Sequence, residues 1–92
     1  IDINDGIYYS YVIYEGQRLP SLTSISSNPT LDAKEKTYET YIYNFDKDIY
    51  GEQIYVELIE KYRDPIKFDS IEELVAKLEE DKKLGLNYFN LR

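Results

Sequence analysis

The stretch IYYSYVIY, Ile7 to Tyr14, is β-branched or aromatic at nearly every position and too short for a helix. It reads as a β-strand. Gly6 stands in front of it and Glu15-Gly16 behind it. A turn at Gly16 predicts a hairpin into a second strand, Leu19 to Ile25. Pro20 near its start suits an edge or a bulge, because proline brings no N–H to a ladder. Ser24 to Asp32 (SISSNPTLD) is the most loop-like segment, with small hydroxyls and an Asn-Pro pair. A third strand is expected over Thr37 to Phe45. Its alternation puts Tyr38, Thr40 and Ile42 on one face and Glu39, Tyr41 and Tyr43 on the other. Asn44 to Gly51 is a polar turn. Gln53 to Ile59 alternates most cleanly, with Ile54, Val56 and Leu58 inward and Tyr55 and Glu57 outward. Tyr62 to Asp69 reads as a connector fixed by Pro65.

Beyond this point the period changes. Ile71, Leu74, Val75 and Leu78 recur at the spacing of one helix face. Ser70 and Glu73 have capping-box spacing, which marks the helix start. Lys82 and Lys83 are placed near the helix end, where cations complement the dipole. Gly85 is the expected stop, although Leu86, Tyr88 and Phe89 also extend the apolar stripe. Four antiparallel strands and one helix therefore make the architecture, with a small barrel-like sheet as its natural form and the helix covering the sheet's open side.

Composition narrows the chemistry. The 92 residues carry 11 Lys plus Arg against 18 Asp plus Glu, a net charge of −7. That balance, with no basic block, argues against nucleic-acid and anionic-membrane surfaces. There is no Cys and no His, so thiolate, disulfide and imidazole chemistry are excluded. What remains is carboxylates, hydroxyls, Lys, Arg, backbone dipoles and a hard cation. Tyrosine occurs 11 times, which suits a half-buried pleated surface with few fully dry positions. No stretch approaches the roughly 20 apolar residues of a membrane span. A first residue of Ile1 rather than Met leads us to expect a processed chain or a piece of a longer one.

Several residues are candidates for function, each with a plainer reading beside it. Glu39 is a mid-strand carboxylate among Tyr38 and Tyr41, either a general base or a solvated surface residue. Ser24 to Thr30 either binds a phosphate or hydroxylated ligand or is a proline-containing turn. Asp46 and Asp48 have the spacing of paired hard-cation ligands, but no calcium-loop pattern follows. Tyr50-Gly51 reads as a turn ending. Arg63, one of three arginines, binds a ligand or pairs with Asp64 or Asp69. The helix stripe covers the sheet or docks a partner.

Five segments, in this order and spacing, resemble the riboflavin kinase family: NDGIYY (Asn4–Tyr9), SISSNPT (Ser24–Thr30), TYETYI (Thr37–Ile42), DIYG (Asp48–Gly51) and YRDPIKFDSIEEL (Tyr62–Leu74). The likeness is to the C-terminal kinase module of bacterial bifunctional riboflavin kinase/FAD synthetases. It implies a small antiparallel Greek-key β-barrel closed by one C-terminal helix. It also implies phosphoryl transfer from MgATP to the riboflavin 5′-hydroxyl, giving FMN. Glu39 matches the family's catalytic base, Tyr50 and Gly51 match the turn lining the nucleotide pocket, and Arg63 and Phe68 lie in the connector that helps form the flavin pocket.

The family also carries a Gly-x-Pro-Thr-Ala-Asn segment that grips phosphates and helps hold Mg²⁺. We expect it upstream of this sequence, which makes residues 1–92 the C-terminal portion of a kinase domain, without its N-terminal strand and loop and with little activity alone. Ser24, Ser26 and Asn28 stand where the family's later loop has Asn, Gly and Arg. The expected partners are riboflavin and FMN, ATP and ADP, and an adenylyltransferase module in the parent chain, in the cytoplasm and without nucleic acid or membrane. An exposed sheet edge gives an expectation of self-association. The alternative is a non-catalytic, tyrosine-rich β-barrel module that binds a ligand or a protein.

Overall fold

The computed structural model describes residues 3–27 and 36–91. Four strands, β1 (Gly6–Tyr14), β2 (Gln17–Ser27), β3 (Lys36–Ile42) and β4 (Tyr55–Arg63), form one antiparallel sheet, followed by a helix, α1 (Ile71–Tyr88). The spatial order is β3-β2-β1-β4. Three consecutive strands thus lie side by side and the fourth returns beside the first, which is the Greek-key arrangement. Among the described residues, β3 and β4 are the two edges of this sheet.

The β1–β2 hairpin turns on Glu15 and Gly16, both at positive φ (49° and 75°), so the loop is two residues long and β2 begins at Gln17. Pro20 sits inside β2, paired with Tyr11 of β1. Its carbonyl accepts from the Tyr43 N–H at 3.0 Å, just past the last β2–β3 pair, Ser21–Ile42. The missing proline N–H therefore falls beyond the last β2–β3 pair, where the ladder is ending. β3 ends at Ile42 rather than Phe45 because Asn44 adopts φ 54° and turns the chain.

β4 departs furthest from the expected Gln53–Ile59, starting at Tyr55 and continuing to Arg63. Its register against β1 skips Ile59 and Tyr62, two bulges that the clean upstream alternation does not announce. Tyr62 and Arg63, read from sequence as connector, are strand residues. Val56, expected inward, is exposed, because β4 lies at the sheet margin where even the core-facing side meets solvent.

The alternation expected for β3 is the one observed. Ile7, Ser24 and Glu39 make one cross-strand row, and Tyr9, Leu22 and Tyr41 the next. The opposite face holds a buried hydroxyl network: Ser10 shares hydrogen bonds with Ser21 (2.7 Å) and Thr23 (2.8 Å), and Thr23 with Thr40 (3.0 Å). Val12 and Ile25 are buried on that same face. Among the described residues no buried side-chain nitrogen or oxygen lacks a partner.

Helix α1 starts as the sequence predicts: Ser70 Oγ accepts from the Glu73 N–H at 3.2 Å, and Glu73 reaches back to the Asp69 N–H. It does not stop at Gly85. The helix runs on to Tyr88, and Asn90 at φ 58° ends it, with Asn90 N–H donating to Asn87 O and Leu91 N–H to Leu86 O. This is a Schellman closure with Asn in the left-handed position. Lys82 and Lys83 consequently lie before the last turn, which holds no basic residue. Gly85 serves another purpose: a Cβ there would lie 1.9 Å from Tyr43 Oη. The glycine lets the tyrosine ring rest directly on the helix backbone.

Candidate active site

Helix α1 touches the sheet unevenly. Its C-terminal end is built into the aromatic core, where Tyr88 stacks on Tyr9 with ring centres 3.7 Å apart and Phe89 meets Tyr9, Tyr11 and Tyr43 edge-on. Tyr43 donates its hydroxyl to the Lys82 carbonyl at 2.9 Å. The N-terminal half is different. The stripe Ile71, Leu74, Val75 and Leu78, expected to cover the sheet, is largely exposed, up to 76% at Ile71. Between this half and the sheet lie two adjoining cavities.

The larger cavity, about 310 Å³, has the Ile7–Ser24–Glu39 row along its floor, with Leu22 and Tyr41 beside it and Leu78, Asp81 and Lys82 above. The smaller, about 200 Å³, is lined by Ile25, Arg63, Pro65, Phe68 and Leu74 among others. Ile7, Ser24 and Leu78 belong to both. Glu39 thus opens on one end of a groove whose other end carries Arg63 and Phe68. Three of the residues singled out from sequence are brought together, although Glu39 lies 24 and 29 positions from Arg63 and Phe68 along the chain.

Arg63 does not pair with the side chains of Asp64 or Asp69. Its guanidinium forks onto Asp81, Nε to Oδ1 at 3.1 Å and Nη2 to Oδ2 at 2.7 Å, while Nη1 donates to the Asp64 carbonyl. Lys61 takes the Asp64 carboxylate instead, at 2.6 Å. Asp81 is 2% exposed, so this fork is a buried tie between β4 and α1. Burial pushes the Tyr62 hydroxyl up to about 12, with the Asp81 charge adding to it. Burial likewise raises Tyr43 and Tyr9, helped most by the neighbouring Tyr41 at Tyr43 and by the Glu60 charge at Tyr9. The aromatic wall beside the groove is therefore neutral over the whole physiological range.

Tyr50 and Gly51 lie away from both cavities. They are the central residues of a turn closed by Glu52 N–H to Ile49 O at 2.9 Å, with Gly51 at φ 81° as a type II turn requires. Tyr50 is 97% exposed. Asp48 accepts the Tyr50 N–H, so its pattern with Asp46 is that of a turn. Asn28, Pro29 and Thr30 lie outside the described residues, while Ser24 lines the groove.

Asp81, Lys82 and Gly85 were not singled out from sequence as parts of a site. A signal was present: counting on from Leu74 and Leu78 by threes and fours reaches positions 81, 82 and 85. Two charges and a glycine on an otherwise apolar stripe mark where the helix does something other than cover a sheet.

The family model described as riboflavin kinase (Flavokinase) matches residues 1–89. The chain belongs to the riboflavin kinase family. Its relatives include the trifunctional protein RibF/MnmA of Mycoplasmoides gallisepticum, 38% identical over 98% of this chain and 14% of that protein. The bifunctional riboflavin kinase/FMN adenylyltransferase of Haemophilus influenzae is 28% identical over 92% of this chain and 28% of its own length. The RNA-binding riboflavin kinase RibR of Bacillus subtilis is 31% identical over 97% and 39%. The chain thus spans well under half the length of these relatives. Among solved structures, one titled as a macrolide-efflux protein from Streptococcus pneumoniae superposes with a TM-score of 0.80, at 36% identity over 90% of this chain and 27% of that one. That name differs from those of the kinases, whereas the family match covers nearly every residue here. Among the described residues no helix is long and apolar enough to cross a membrane.

Kinases of this family work with ATP and a divalent metal. Among the described residues no group of three or more Asp or Glu side chains is placed to hold a metal ion. The chemistry assigned to this chain is that of its own side chains.

Proposed function

We propose that this chain supplies the catalytic base and the flavin groove of a riboflavin kinase, which transfers a phosphoryl group from MgATP to the riboflavin 5′-hydroxyl. The observation that carries the reading is the placement of Glu39 at one end of a groove between sheet and helix, on the same floor as Ile7 and Ser24. The groove is predominantly apolar, and its two adjoining cavities of about 310 and 200 Å³ suit a flat ring system with a polar tail.

A primary alcohol is a poor nucleophile, and a positioned carboxylate makes it a competent one. Glu39 takes the proton of the 5′-hydroxyl as that oxygen bonds to the γ-phosphorus. The bond from the γ-phosphorus to the β,γ-bridging oxygen breaks, and ADP leaves with that electron pair. FMN, ADP and one proton are the products. Phe68 and the Arg63–Asp81 tie form the far wall, with Arg63 acting through its packed plane because Asp81 and the Asp64 carbonyl take its donors. The exposed Tyr50 ring at the Gly51 turn is offered to the nucleotide base. An adenylyltransferase module elsewhere in the full-length protein and a cytoplasmic location accompany this reading, and the 92 residues alone turn over little substrate.

The test is Glu39→Gln in the full-length protein, assayed for FMN formation from riboflavin and MgATP. Loss of a general base is expected to cost about a hundredfold or more in turnover, with riboflavin fluorescence quenching on binding unchanged. An equal loss of turnover and binding would make Glu39 structural. Quenching without any FMN formation by the unmodified protein would favour a flavin-binding module over an enzyme.

A further inference from the structure

We propose that Lys82 is the anion-receiving residue of the groove, placed to hold the phosphate that distinguishes FMN from riboflavin. The inference rests on the reading of Glu39 as the group that meets the flavin hydroxyl. Three charged side chains line the larger cavity: Glu39, Asp81 and Lys82. Asp81 is neutralised by the Arg63 fork. The carboxylate that Lys82 meets among the described residues is Glu79, itself exposed and 3.7 Å away, a contact of little strength. Among the described residues of the cavity, its ammonium is the positive charge available to a ligand.

Strand β3 and the residue just past its end fix where that charge sits. Tyr43 holds the Lys82 carbonyl, and the Lys82 ammonium lies over the Tyr41 ring, 4.4 Å from its centre. Tyr41 is two residues from Glu39 on the same strand face, a rise of about 7 Å. Base and cation therefore flank one stretch of the groove floor. The chemistry requires this pairing. The oxygen whose proton goes to Glu39 is the oxygen that becomes esterified, so the product's phosphate forms close to a carboxylate on a chain of net charge −7. A nearby ammonium, a compact charge with three donors, offsets that repulsion.

The experiment is a fluorescence titration of the full-length protein that carries this chain, with riboflavin and, separately, with FMN. Lys82→Gln is expected to weaken FMN about tenfold, the worth of one charge-assisted contact, while riboflavin binding stays within about twofold. Lys82→Arg keeps most of the FMN affinity, and raising the salt concentration narrows the difference between the two flavins in the unmodified protein. Equal effects of Lys82→Gln on both flavins overturn the proposal and leave the flavin groove standing. Failure of the unmodified protein to bind either flavin overturns the groove reading and this inference with it. Lys82 is half-buried, and an unchanged thermal melt of Lys82→Gln shows that folding is not what the titration measures.

Discussion

The two halves of helix α1 carry the same kind of apolar stripe and do opposite things with it. From Asp81 onward the apolar and small stripe positions are filled by the sheet: Asp81 meets Arg63, Gly85 the Tyr43 ring, Tyr88 stacks on Tyr9, and Phe89 sits among tyrosines, with Lys82 turned to the groove. Upstream, Ile71 and Val75 face solvent, and Leu74 and Leu78 roof two cavities. The upstream half is held instead by its own cap, Ser70 and Glu73, and by continuity with the anchored half. Periodicity specifies a face but not its occupant. A helix clamped at one end can hold a groove open at the other, and here that groove contains Glu39.

The contrast can be broken most forcefully at the clamp. Asp81→Ala leaves the Arg63 guanidinium largely buried without its partner and should cost about 3–5 kcal/mol, read by chemical denaturation. The double change Arg63→Met with Asp81→Leu should recover most of that loss; a double variant as unstable as the single one would show that the fork is more than a replaceable tie. Gly85→Ala comes next. Its added helix propensity, about 1 kcal/mol, works against a Cβ placed 1.9 Å from Tyr43 Oη. Overpacking should win, with a net loss of about 1–3 kcal/mol, and a stabilised variant would show that the close approach is dispensable.

Alkaline titration probes the same end. Tyr62 is raised from its ordinary 10.0 to about 12 in the folded chain. The fold holds the extra proton, so this contribution is complete below pH 10.0 and is lost as pH rises towards about 12. Denaturation midpoints should fall through that window, and Tyr62→Phe should flatten the fall. The smallest effect is expected upstream: Val75→Ser should change stability by no more than about 0.5 kcal/mol, as for other exposed sites. A large loss there would mean the two halves are not so different.

How much of this was legible in the sequence follows from which forces are local. The strand Ile7–Tyr14, the hairpin at Gly16, the β3 alternation and the Ser70 cap are set by residues within a few positions of one another, and each is found where it was expected. Glu39 was legible through its family motif and its place mid-strand. The β4 bulges were not, because skipping Ile59 and Tyr62 depends on fitting against β1. Gly85 was misread as a stop because its partner, Tyr43, lies 42 positions away. Asp81 was missed for the same reason, its counter-ion being Arg63 on a bulged edge strand.

The hydroxyl network on the far side of the sheet has a dynamic consequence. Ser21, Ser10, Thr23 and Thr40 join β2, β1 and β3 through three side-chain bonds. Separating any of these strands must expose at least one unpaired hydroxyl, whereas β4, irregular and marginal, peels away without touching the network. Amide protons of the three linked strands should therefore exchange with solvent in one slow cooperative opening, and those of β4 in an earlier one. The strand that carries Glu39 belongs to the slow unit, while the strand that carries Arg63, at the other end of the groove, belongs to the fast one.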